Sequence, residues 1–148
     1  MTKVNSLIGV GWNWPVALDT TGSIAMASGA TDLEQAMYLI LSTTPGERPM
    51  RPEFGCRLAQ FVFAPGNATT AGLMAAEVRW ALLRWEPRVE VDEVAVTTDP
   101  EDAATLWIDI RYSVKATNDR RNLVFPFYVI PEHDTAPLED ALPDGMLR

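Results

Sequence analysis

Residues 105–116, TLWIDIRYSVKA, alternate strictly between apolar and polar-facing positions. Leu106, Ile108, Ile110, Tyr112 and Val114 fall on one parity, and Trp107, Asp109, Arg111, Ser113 and Lys115 on the other. A period of two puts each set on its own face of a strand, one buried and one wet. Such a strand suits an α+β fold in which helices cover one face of a small, mainly antiparallel sheet.

The neighbouring runs vary that pattern. In RVEVDEVAVTT, Val89 and Val91 share one parity while Val94 and Val96 have the other. One inserted residue near Asp92–Glu93, a bulge, restores a single face. NLVFPFYVI is apolar on both sides: Leu123, Phe125, Phe127 and Val129 face one way, Val124, Tyr128 and Ile130 the other. Pro126 has no N–H for a ladder, which predicts an edge strand. An apolar edge invites pairing with another chain.

Two helices supply the cover. In TDLEQAMYLILSTTPG, Leu33, Ala36, Met37, Ile40 and Leu41 follow helical spacing, Thr31 and Glu34 have the form of a capping box, and Pro45-Gly46 is the stop. A second helix is expected from NATT until Pro87 ends it. Met74, Val78, Ala81, Leu82 and Trp85 form one stripe of it; Leu73, Ala76, Trp80 and Leu83 form another on roughly the opposite side. One stripe serves the sheet. The other needs either Leu58, Phe61 and Phe63 of the preceding segment or another subunit. Before the helices, Val16, Leu18, Ile24 and Met26 flank a DTTG turn signal, which predicts an N-terminal hairpin.

Between the helices lies TTPGERPMRPEFGCRL. Thr44, Arg48 and Arg51 each precede proline and are biased towards extended geometry. A polyproline II path would project Arg48 and Arg51 from one side, stiffly held to clamp carboxylates, either Glu86 or acids of a partner.

The 148 residues suit one domain, and no apolar run reaches the ~18 to 20 residues of a membrane span. A net charge of −8 argues against nucleic acid. The end of the chain is the most acidic part: removing its five acids and one arginine changes the balance from −8 to −4. The reading is a folded unit over 1–131 and an acidic, flexible tail over 132–148. Catalytic groups are few. His133 is the only histidine and falls in the tail, and Cys56 is the only cysteine and suits a buried site. That leaves no Ser-His-Asp or Cys-His site, no zinc site and no cofactor motif. The reading is therefore a protein without catalytic, metal or cofactor residues.

In this order, GWNWPVALDTTGSIA, the first helix, PGERPMRPEFGCRL, the second helix ending in Trp85-Glu86-Pro87-Arg88, and TNDRRNLVFPFYV resemble the gene 25-like baseplate wedge family. That family belongs to contractile phage tails, extracellular injection systems and type VI secretion, where it includes sheath initiators. The resemblance spans about residues 11–130 and implies a structural subunit assembled in the bacterial cytoplasm into a phage tail-like particle. Its implied partners are larger wedge proteins, contractile sheath subunits and inner tube or hub proteins, with no nucleic acid or membrane insertion. By resemblance, Glu86, Pro87 and Arg88 belong to a helical core bundle; the helix and linker readings above add Trp80, Trp85, Arg48 and Arg51 as expected wedge contacts. Val124, Phe125, Tyr128 and Ile130 would receive sheath strands, beyond a polar turn at TNDRR. A stress-response anti-adaptor uses the same fold, which makes a regulatory binding module the alternative. A lysozyme-like muralytic enzyme gains nothing from the sparse catalytic inventory.

Overall fold

The computed structural model describes residues 8–130, so the acidic segment 132–148 and His133 lie outside the described residues. Chain order is β1 (Val10–Trp12), β2 (Met26–Ser28), α1 (Ala30–Ser42), a 3-10 turn (Arg57–Phe61), α2 (Ala68–Trp85), then β3 (Val89–Thr98), β4 (Thr105–Val114) and β5 (Asp119–Tyr128). Two helices over antiparallel sheets give the expected α+β fold.

The central strand behaves as its alternation requires. β4 lies between β3 and β5, antiparallel to both, and Ile108, Ile110, Tyr112 and Val114 on its inner face are essentially inaccessible. Helix α2 packs along β3, and Tyr38 of α1 meets Phe125 of β5 with ring centroids 5.3 Å apart. The core therefore sits between one sheet face and two helices. The phase break in β3 is the expected bulge: Val91 pairs with Tyr112 and Glu93 with Arg111, leaving Asp92 as the extra residue.

The N-terminal hairpin also forms. β1 pairs with β2, and Leu18 bridges Ile24 beyond them. Its turn is closed by the Asp19 carboxylate, which accepts from the Thr21 and Ser23 N–H groups at 2.8 and 3.0 Å.

Three local expectations are corrected. The Thr31–Glu34 capping box does not form, because α1 already begins at Ala30 behind Gly29 and Thr31 lies inside the helix. The linker is not a polyproline II rod. Glu47 N–H donates to Thr44, Arg51 N–H to Arg48 and Phe54 N–H to Arg51, each at 3.1 Å, so TPGE, RPMR and RPEF are successive tight turns. Proline at the second position suits such turns, and the residue before it stays extended at the first, as its steric restriction allows. The chain reverses again at Gly55, whose φ of 124° favours glycine and where a Cβ would strike the Thr43 carbonyl. Lastly, Asp119–Arg121 belong to β5 and not to a turn. The reversal is made by 115–118, with Asn118 at φ 54°.

Candidate assembly surfaces

The end of α2 carries the densest polar arrangement. Pro87 stops the helix, and Glu86 caps it, its N–H donating to Leu82 O at 2.9 Å. The Glu86 side chain is nearly inaccessible at 4%, a costly place for a carboxylate unless it is paired. Arg88 pairs with it in two parallel bonds, Nε to Oε1 at 2.6 Å and Nη2 to Oε2 at 2.7 Å. Arg88 Nη1 then donates to Asp32 Oδ2 at 2.7 Å and to the Ile8 carbonyl at 3.0 Å. The hydrogen bonds it donates to Glu86, and after them the one to Asp32, raise the already high Arg88 pKa against the opposing effect of burial. At Gly11 a Cβ would meet the Asp32 carboxylate, so a larger residue there would push that side chain from its place beside Arg88.

Glu86 and Arg88 are therefore engaged within the chain, while Pro87 between them is exposed. This corrects the intramolecular clamp expected of the linker arginines, because the Glu86 carboxylate is taken by Arg88. Arg48 instead lies over the Phe54 ring, 4.3 Å from its centroid, and Phe54 packs on Trp85 at 5.2 Å. Arg51 is exposed.

The two stripes of α2 separate cleanly. Met74, Val78, Ala81 and Leu82 are buried, and Trp85 packs partly into the same core. On the far side Leu73 and Leu83 are exposed, and Trp80 is 69% exposed. The intramolecular cover does not form: Leu58 joins the core, Phe61 packs at its margin and Phe63 is exposed.

At the sheet, Val124, Tyr128 and Ile130 point to solvent, whereas Phe125 is buried in the core. Phe125 therefore offers an added strand neither its side chain nor, being odd-numbered, its backbone groups, which serve β4. The backbone is oriented by parity. Val129 N–H donates to Ala104 O at 2.8 Å, and the β4–β5 register runs unbroken from Thr105↔Tyr128 to Val114↔Asp119. Odd-numbered residues of β5 thus turn their N–H and C=O towards β4, and even-numbered ones turn theirs outward. Pro126 is even, so its missing N–H costs the sheet nothing. Ile130 is even too, and its N–H is met by Val62 O at 2.8 Å, which closes the edge above Tyr128.

The opposite edge is treated otherwise. Val91 stands across from Tyr112, whose backbone serves β5, so the Val91 carbonyl faces away from the sheet. Arg79 of α2 reaches over and donates from Nη1 to that carbonyl at 2.8 Å and from Nη2 to Asp92 O at 3.2 Å.

Three features escape sequence reasoning: the Asp32 contact, the Arg79 cap and the openness of the hairpin. Val10, Trp12, Trp14, Leu18 and Met26 all stay exposed on one side of that hairpin, while Ala27 is buried on the other. The alternation was the visible signal there. Chemical groups are otherwise plain. Cys56 is buried, and its thiol is pushed up from 9.0 to about 12 by burial first and by the Glu77 carboxylate second. A cleft beside the start of α2, lined by Met74, Val96, Leu106, Val129 and small residues, contains no acid, base or thiol. Among the described residues no cluster of His, Cys, Asp or Glu could hold a metal, and no helix is long and apolar enough to cross a membrane.

Residues 27–119 match the family of Baseplate wedge protein gp25. The protein of that name from Enterobacteria phage T4 is 32% identical over 98 residues, spanning 66% of this chain and 73% of the phage protein. A crystal structure from Geobacter sulfurreducens, described as a candidate tail lysozyme, aligns with a TM-score of 0.68 at 41% identity, covering 75% of this chain and 100% of that one. A chain of the anti-feeding prophage baseplate shares the fold, with a TM-score of 0.66 at 19% identity over 87% of this chain and 92% of its own length.

Proposed function

Because this chain belongs to the gp25 baseplate wedge family, and so is a structural baseplate subunit, we propose that it links a larger wedge protein to the contractile sheath. The supporting observation is that, besides the hairpin face, the Trp80 stripe of α2 and the open edge of β5 are left uncovered on different elements. The α2 stripe joins a helical bundle of the wedge protein. Glu86 and Arg88 serve that contact by fixing the end of α2, with Pro87 exposed beside it, and Arg51 on the linker reaches carboxylates of the wedge. The β5 edge starts the sheath by accepting an added strand, as open edges do in other strand-addition complexes. Assembly takes place in the bacterial cytoplasm, and the tube or hub lies nearby in the finished particle. Both surfaces fall within the proposed domain of residues 1–131.

Two substitutions test the halves separately. Trp80→Ser should leave the isolated chain within about 0.5 kcal/mol of its stability, as at other exposed positions, while removing co-purification with the wedge protein. Wedge protein retained at normal yield would overturn the bundle contact. Val124→Asp combined with Tyr128→Asp should give baseplates that assemble but carry no extended sheath in electron micrographs. Full-length sheaths on that variant would overturn the strand addition.

A further inference from the structure

The open edge of β5 constrains what can be added to it. Outward-facing groups run from Arg120 to Tyr128, since the N–H of Ile130 is already met by Val62. Within that span Arg120, Asn122, Val124 and Tyr128 offer outward N–H donors, and Pro126 offers only its carbonyl. An incoming strand therefore finds its most continuous ladder over Arg120–Val124 and one further donor at Tyr128.

Side chains divide the edge in the same way. On the outer face the even-numbered residues present Arg120 and Asn122 at one end, and Val124 and Tyr128 at the other. The nearby cations are mostly neutralised: Arg111 pairs with Glu93 at 2.9 Å and Arg121 with Asp119 at 2.9 Å. Arg120 has no ion pair among the described residues, and its neighbour on β4 is Ser113, a neutral side chain. A residue added opposite Arg120 would lie on the same face, within the reach at which opposite charges attract across strands.

We infer that the strand received by β5 covers the nine positions Arg120–Tyr128 and carries a carboxylate opposite Arg120, with apolar side chains four and eight residues further along, opposite Val124 and Tyr128. This rests on the strand-addition reading above and specifies the chemistry of the incoming segment. Its polar end sets the register, because sliding by one residue would turn the carboxylate to the other face of the sheet. Its apolar end adds burial where the ladder is broken by Pro126.

The probe is a nine-residue peptide capped at both ends, with aspartate at one end, valine four and eight positions away and threonine between, made in both chain directions. It is added to the full-length chain, and backbone amide exchange is followed by NMR. Protection should grow at Asn122 and Val124 and stay unchanged at Leu123 and Phe125, whose N–H groups already serve β4. Replacing the aspartate by lysine should weaken binding about fivefold, the scale of one exposed cross-strand charge pair. Arg120→Glu should reverse that preference while keeping the wild-type melting temperature. Equal binding of both peptides would overturn the carboxylate, and no protection of the even-numbered amides would overturn the register. Neither result touches the sheath phenotype of the Val124 and Tyr128 variant, which decides the strand-addition reading by itself.

Discussion

The two edges of one sheet are finished in opposite ways. Along β3 an inserted Asp92 twists the backbone, and Arg79 from the covering helix donates to two carbonyls at the bulge. Along β5 the register is unbroken, and the outward side chains at Val124 and Tyr128 are apolar. Bulges and positive charges at an edge are the ordinary means by which soluble proteins prevent strands from adding. A protein that needed only to stay soluble would treat both edges alike. Here one edge is blunted and the other left receptive, which gives strand addition a direction.

Removing the bulge should break that contrast most severely. With Asp92 deleted, Val89, Val91, Val94 and Val96 fall on one parity, so all four keep facing the core while β3 becomes a regular edge without its extra residue. Stability should fall by no more than about 1 kcal/mol, while the unblunted edge should pair with copies of itself, seen as strong association in sedimentation. A strictly monomeric deletion variant would show that the bulge is not what blunts β3. Arg79→Ala makes a milder version of the same change. It frees the two carbonyls at a cost of about 1 kcal/mol, limited by solvent exposure, and should create a second receptive edge. Sedimentation should then show association that rises with concentration; a strictly monomeric variant would mean that the bulge alone blunts β3. Pro126→Thr sharpens the contrast from the other side. It adds one outward donor and should leave stability within about 0.5 kcal/mol while increasing self-association through β5. Unaltered sedimentation would show that proline does not limit pairing there.

How much of this was legible in the sequence depended on distance along the chain. The parity of β4, the phase break at Asp92 and the edge position of the Pro126 strand are all properties of residues within ten of one another, and each was readable. So were the two stripes of α2, though not whether the Trp80 stripe would find its cover within the chain. What failed was more subtle or more remote. Thr31 and Glu34 had cap spacing, but Gly29 opened the helix two residues early. Three X-Pro steps suited a rod and a series of turns equally, and Gly46 and Gly55 decided for turns. Glu86 read as a target for the linker arginines and as a bundle contact, because nothing local announces the network that Arg88 completes with Asp32, 56 residues away. Phe125 was counted with its exposed neighbours although its parity belonged to the core.

The guanidinium of Arg88 has one more consequence, which concerns time. It binds the Ile8 carbonyl across 80 residues of sequence, and Asp32 and Glu86 with it. A ribosome adding about 5 to 20 residues per second needs roughly 4 to 16 seconds to travel from the first of these groups to the last. For about 3 to 12 seconds of that interval, after Ser28 completes it, the hairpin is held to α1 by Gln35 and lacks the arginine that ties it to Asp32. Its tryptophans are thus displayed on a loosely held hairpin before they are displayed on a fixed one. A chain meeting its assembly partners during synthesis would present them with a different object from the finished protein, and the arrival of a single arginine marks the change.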